Sequence, residues 1–124
     1  MTLICGLPNA GKTTYSRRFE GVIHYDNLKL TTRQRYEHLN DLVSKGNAVL
    51  EGVFGERKRR MEFISNTPAN ERKVCIWLNT PVDTCHAREN RGRPQTIVTL
   101  HARTFQPPTY DEGWDEIIII GGNQ

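Results

Sequence analysis

An α/β fold with a five-stranded parallel sheet flanked by helices is what the sequence predicts, and three observations carry it. Five short, mostly apolar runs (3–5, 21–25, 48–50, 74–78 and 116–120) alternate with stretches of helical period. The run Val74-Cys75-Ile76-Trp77-Leu78 is apolar throughout, as a parallel strand covered on both faces must be. The first run leads into Gly6-Leu7-Pro8-Asn9-Ala10-Gly11-Lys12-Thr13, a complete G-x-x-x-x-G-K-[ST] loop, with a helical pattern behind it. Strand, glycine loop and helix form the setting in which backbone N–H groups turn inward on a phosphate chain.

Leu3-Ile4-Cys5 is the first strand, and the helix after the loop sets Tyr15 and Phe19 four residues apart on one face. Gly21-Val22-Ile23-His24-Tyr25 is the second strand and ends at Asp26. Thr31 reads as a helix cap, with Gln34 three residues on completing a capping box. Tyr36, Leu39, Leu42 and Val43 mark that helix's buried stripe, and Lys45-Gly46 closes it. Ala48-Val49-Leu50 is the third strand, ending at Glu51. A helix from Glu56 to about Asn66 turns Met61 and Ile64 inward, and a polar turn containing Pro68 leads to the fourth strand. Thr80 as cap and Pro81 at the first helical position open the next helix. That helix runs into the polar break Glu89-Asn90-Arg91-Gly92-Arg93-Pro94, and Thr96 to Arg103 is a short fifth helix. A stiff connection with Pro107-Pro108 precedes the last strand, Glu116-Ile117-Ile118-Ile119-Ile120. Right-handed crossovers bring the glycine loop, Asp26 and Glu51 to one edge of the sheet, where open α/β sheets bind ligands.

The 124 residues make one domain, 1–124. No stretch approaches the roughly 18 apolar residues of a membrane span. Met1-Thr2 leads into the first strand without a basic-then-apolar leader, so the expectation is a cytoplasmic protein with no membrane partner. Cys5, Cys75 and Cys85 form no Cys-x-x-Cys pair and read as reduced thiols. His24, His38, His86 and His101 are too scattered for a metal set and read as structural or surface residues. Trp77 reads as core; Trp114 and Phe105 read as core, with a base-pocket wall as the alternative. The net charge is only +3, yet arginine is clustered at Arg17-Arg18, Arg57-Lys58-Arg59-Arg60 and Arg88, Arg91 and Arg93. Such clusters suit an arginine-lined active site or a nucleic-acid groove, and a solvated face is the plain alternative.

The chemistry follows from the loop. Gly6, Pro8, Asn9, Ala10, Gly11, Lys12, Thr13 and Thr14 are the nucleotide-binding set. Lys12 is placed to reach the β- and γ-phosphates of ATP, and the Thr13 hydroxyl to hold Mg²⁺. Asp26, a carboxylate at a strand end beside the loop, is the candidate general base on an acceptor hydroxyl; a turn cap is its structural alternative. Glu51 is a candidate for Mg²⁺ through water or for the acceptor, with pairing to Lys12 or an arginine as the alternative. Arg88, Arg91 and Arg93 flank the break between two helices, at about 88–95, where a short lid carrying charge-stabilising arginines belongs. Lys29 and Arg57 are candidate acceptor contacts.

On Gly6 to Thr14, Asp26 with Lys29, Glu51 followed by Arg57 to Arg60, and Cys85-His86-Ala87-Arg88-Glu89-Asn90-Arg91, the chain resembles the small P-loop kinases that include the phage polynucleotide kinase domain. The stretch from Phe105 to Asp115 resembles that family's closing segment. The resemblance implies ATP with Mg²⁺, Asp26 as general base, a lid arginine at Arg88 or Arg91, and a phage-encoded enzyme working in a host cytoplasm. It also implies an acceptor-phosphate grip at Lys29, where polynucleotide kinases carry arginine. Glu51 stands where an aspartate is usual. The expectation is therefore an ATP-dependent kinase acting on a nucleic-acid hydroxyl, either a DNA 5′ end or a hydroxymethylated pyrimidine. A small-molecule kinase and a nucleotide-binding switch or ATPase module are the alternatives.

Overall fold

Parallel neighbours need a crossover between them, and this chain's strands are separated by helices of suitable length. The computed structural model describes residues 1–122, so Asn123 and Gln124 of the expected domain lie outside the described residues. Its strands are β1 (Thr2–Gly6), β2 (Ile23–His24), β3 (Val49–Glu51), β4 (Val74–Leu78) and β5 (Glu116–Ile120). They form one parallel sheet in the order β2-β3-β1-β4-β5. The helices are α1 (Lys12–Ser16), α2 (Thr32–Ser44), α3 (Arg57–Asn66), α4 (Val82–Ala87) and α5 (Thr96–Thr104), with single 3₁₀ turns at Tyr25–Asn27 and Tyr110–Glu112.

Alternation along each strand divides the core into two layers. Leu3, Cys5, Leu50 and Cys75 pack with Leu39, Val43 and Phe63 of α2 and α3. Ile4, Ile76 and Leu78 pack on the other face with Ala10, Cys85 and Val98. Full burial of side chains such as Leu3, Ile4, Leu39 and Phe63 contributes about 1.5–3 kcal/mol each. The capping box opens α2 as the sequence implies: the Gln34 backbone N–H donates to the Thr31 hydroxyl at 3.2 Å and the Thr31 backbone N–H to Gln34 Oε1 at 3.1 Å. Gly46, at φ +90°, ends that helix.

Four local expectations give way to tertiary contacts. α1 ends at Ser16 rather than reaching Phe19, whose N–H turns back to the Ser16 carbonyl at 3.0 Å. β2 holds only Ile23 and His24, because the chain coils at Tyr25 into the turn that carries Asp26. In α3 the inward residues are Phe63 and Arg60, while Met61 is exposed and Ile64 half-buried. Thr80 does not cap α4; Pro81 occupies that position, and the Thr80 hydroxyl donates instead to the Ala10 carbonyl in the glycine loop at 2.8 Å. Trp114 is buried, and Phe105 stacks on Trp77 at 5.8 Å, so both serve packing.

Arg60 turns inward because a matching carboxylate waits there. Its Nε and Nη2 fork onto Glu112 Oε1 and Oε2 at 2.8 and 2.9 Å, with both side chains sealed from water. The Trp114 indole N–H and the Thr109 backbone N–H complete the carboxylate's shell at 3.0 and 3.1 Å. Arg60 Nη1 donates to the Phe54 carbonyl at 2.9 Å, holding a residue whose φ of +43° a bulky side chain rarely adopts. Removing one partner of such a pair strands a buried charge. Arg60→Met is expected to cost about 3–5 kcal/mol, read as a lower urea midpoint; a loss below about 1 kcal/mol, the range of exposed pairs, would contradict it.

Candidate active site

Every connection that leaves the C-terminal end of β1, β2 or β3 opens onto one cleft of about 810 Å³. Its wall at the β1 end is the glycine loop. Gly6 cannot carry a side chain, since a Cβ there would lie 2.7 Å from the Leu78 carbonyl oxygen, and Gly11 takes φ +99°. Asn9, at φ +68°, and Gly11 reverse the backbone across the cleft mouth. Pro8, Asn9, Gly11, Lys12, Thr13 and Thr14 line the cleft. Gly6 and Ala10 are buried behind them.

Lys12 is buried, and its ammonium donates to the Leu7 carbonyl at 2.6 Å, across the concavity of its own loop. Burial lowers its pKa, opposed by the nearby Glu51 and Asp26 carboxylates. The Thr13 hydroxyl donates to Glu51 Oε1 at 3.3 Å, and His24 Nδ1 meets the same oxygen at 2.7 Å. Glu51 therefore pairs with neither Lys12 nor an arginine; it sits between Thr13 and His24. Asp26 lines the cleft from the turn after β2, exposed and within Coulombic reach of Lys12.

Arg88, Arg91 and Arg93 line the opposite wall, on the segment between α4 and α5. That segment is latched to the glycine loop. The Asn9 amide donates to the Cys85 carbonyl at 3.2 Å and to Glu89 Oε1 at 2.9 Å, and its oxygen accepts from Arg93 Nη2 at 3.0 Å. Glu89 also accepts from Arg93 Nε at 3.1 Å and from the backbone N–H groups of Arg91 and Arg93 at 2.9 and 3.3 Å. Arg88 Nη1 reaches the Asn9 carbonyl at 3.5 Å. The amide of Asn9 and the guanidinium of Arg93 hold the Glu89 carboxyl well down, at about 2.

Two expected site residues do not join this group. Lys29 is exposed and does not line the cleft, although Asn27 and Thr32 on either side of it do. Arg57 forks onto Asp111 at 2.9 and 3.0 Å, donates to the Thr109 hydroxyl at 2.8 Å, and borders a separate shallow groove. Asp111 recruits it, which the positive run around Arg57 could not reveal. Sequence reasoning missed three residues of the site: His24 behind Glu51, Glu89 behind the arginines, and His101, which lines the cleft from α5. Only the four-residue Glu89–Arg93 spacing could have signalled its pair beforehand. Among the described residues no helix is long and apolar enough to cross a membrane.

No family model matches the chain, and no curated protein matches it in sequence. Among solved structures it is similar to a gluconokinase from Sinorhizobium meliloti 1021, at 12% identity and a TM-score of 0.69, over 95% of this chain and 79% of that one. It is also similar to APE1195, at 16% identity and a TM-score of 0.58, over 94% of this chain and 82% of that one. The likeness establishes the fold: a five-stranded parallel sheet flanked by helices.

The Glu89 latch has a definite pH signature. Its carboxyl is depressed to about 2 in the folded chain, against 4.5 ordinarily, so its contribution is complete above the ordinary value and disappears as pH falls through the folded one. Chemical denaturation of wild type and Glu89→Gln should differ by a constant amount above about pH 5 and converge toward pH 2. A gap that persists at pH 2 would contradict the latch.

Proposed function

We propose that the chain is an ATP-dependent phosphotransferase that moves the γ-phosphoryl group to an alcohol. The observation that carries this reading is the convergence on one cleft of the Lys12 loop, the Thr13–Glu51 oxygen pair, Asp26 and three arginines. The donor set fits the reactants. A buried lysine bonded only to a loop carbonyl is ready to exchange that partner for phosphate oxygens. The Thr13 hydroxyl with Glu51 behind it is an all-oxygen pair of the kind Mg²⁺ takes. Mg²⁺ bound there supplies neutralisation of charge on the phosphate oxygens.

In this reading the acceptor oxygen bonds to the γ-phosphorus as the bond from phosphorus to the bridging oxygen of ADP breaks. Asp26 orients the acceptor hydroxyl and takes its proton. Lys12 and the loop amides hold the phosphates, and Arg88, Arg91 and Arg93 form a lid whose charge offsets that of the moving group. Glu89 and Asn9 are positioning residues for Arg93. The products are ADP and a phosphate monoester.

The finer expectation, a DNA 5′-hydroxyl end or a hydroxymethylated pyrimidine, drew on the arginine-rich rim together with the family resemblance. Arg57 and Arg60 of that rim are engaged by Asp111 and Glu112 and do not line the cleft, which favours the small-molecule alternative.

Asp26→Asn is expected to lower transfer of labelled γ-phosphate by about 10²–10⁴-fold while ATP affinity by calorimetry stays within about twofold. Lys12→Ala is expected to abolish ATP binding itself. Retention of full turnover by Asp26→Asn would return the chain to the switch or ATPase reading.

A further inference from the structure

The charges that line the cleft are segregated. Its arginine and lysine residues are Lys12, Arg88, Arg91 and Arg93, all on the glycine loop or the facing 88–93 segment. The other end is built from the connections after β2 and β3 and the start of α2. Asp26, Asn27, Thr32, Tyr36 and Glu56 line it, and no lysine or arginine does.

Lys29, three residues from Asp26, is exposed and does not line the cleft; the arginines nearby in sequence are engaged elsewhere. Arg35 donates to the Leu28 carbonyl at 2.9 Å and lies over the Tyr25 ring. Arg59 lies over the Tyr36 ring and beside Glu62 at 3.7 Å. Arg60 is consumed by Glu112. Lys58, like Arg57, borders the separate groove.

The carboxylates at this end are unspent. Glu56 precedes α3, where such a residue often caps the helix, but its side chain makes no capping bond. Among the described residues neither Glu56 nor Asp26 forms an ion pair, and neither has a side-chain hydrogen bond. Tyr36, whose hydroxyl pKa is raised chiefly by burial, stays a neutral donor beside Glu56. A phosphate or carboxylate entering here meets like charge, with no lysine or arginine among the described residues that line this end. A hydroxyl or ammonium group meets two open carboxylates and makes charge-assisted hydrogen bonds.

We propose that the acceptor is a small alcohol bearing neither phosphate nor carboxylate, a polyhydroxyl or amino alcohol. One hydroxyl is held by Asp26 for transfer, and a second hydroxyl or an ammonium group by Glu56. The inference rests on the phosphotransfer reading above and adds the charge class of the acceptor. Glu56 is a specificity-determining residue, not a structural cap, and this separates its role from a general effect on folding.

The test is transfer of labelled γ-phosphate from ATP to matched acceptors differing in one anionic group. The pairs are nucleosides against their 5′-monophosphates, hexoses against hexose phosphates, hexoses against their aldonic acids, and amino-sugar alcohols against their phosphates. DNA with 5′-hydroxyl ends or hydroxymethylated pyrimidines completes the panel. The uncharged or amino member of a pair should be phosphorylated at least about tenfold better. Glu56→Gln should raise the acceptor KM severalfold with the ATP KM unchanged, and Glu56→Lys should shift preference toward the anionic member. Equal or better transfer to anionic members, or to DNA with a steep fall as salt rises, would overturn the proposal while leaving the phosphotransfer reading intact. Bound ATP with no transfer to any member would overturn it together with the alcohol-acceptor reading. Failure of the wild-type chain to bind ATP would remove that reading first, before any acceptor is tried.

Discussion

The end of the cleft beyond β3 hangs on a guanidinium that water does not reach. Arg60 ties three segments together: α3, which carries it; the β3–α3 connection, through the Phe54 carbonyl; and the 109–114 stretch, through Glu112. A pair buried this deeply loses much of its Coulombic gain to desolvation, and its use is geometric rather than a large net stabilisation. What it fixes is the path of residues 52–56, which border the cleft. Gly52 and Gly55 show how tight that path is, because a Cβ on either would stand within 3 Å of the Phe54 or Phe105 ring. Phe54 itself then anchors the core by edge contacts to Tyr25 and Phe63 at 5.8 and 5.5 Å. A hydrophobic residue in a left-handed conformation is held from both ends, by its carbonyl and by its ring.

The glycine loop is also held before any phosphate arrives. Thr80 takes the Ala10 carbonyl, Asn9 takes the Cys85 carbonyl and Glu89, and Lys12 takes the Leu7 carbonyl. Thr80 follows β4, Cys85 lies in α4 and Glu89 just beyond it, while the Lys12–Leu7 bond closes within the loop, so neighbouring segments and the loop's own bond set its shape together. α1 is only five residues long, too short to organise the loop alone. Order present beforehand reduces the entropy lost on binding, so in the proposed function a polyphosphate would need few side chains to hold it.

Much of this was legible in the sequence where the governing contacts are local. The Thr31–Gln34 box, Gly46 at the end of α2 and the Ile117–Ile120 run needed only neighbours within a few residues. That the Gly6–Thr14 loop, Asp26 and Glu51 converge on one cleft was legible because parallel topology sends strand ends to one edge. What stayed hidden depends on partners far along the chain. Thr80 has the composition of a cap, yet a carbonyl 70 residues away takes its hydroxyl. Arg57 and Arg60 look alike in a basic run, and only Asp111 and Glu112, 54 and 52 residues away, decide that both are withdrawn from the cleft. Met61 and Phe63 compete for the inward face, and the larger aromatic takes it beside Tyr36 at 5.8 Å.

Those hidden partners change what the mild net charge means. The sequence has 17 lysine and arginine residues, clustered enough to suit a nucleic-acid groove. Folding spends several of them on carboxylates and aromatic rings, and the cations left lining the cleft stand at one end. A one-sided distribution does more than attract phosphate. In the proposed reaction both substrates enter one open cleft, and a triphosphate bound backwards would block the acceptor. Lys12 and the arginines stabilise phosphate only at the loop end, while Asp26 and Glu56 disfavour it at the other, so the field that binds ATP also sets its direction.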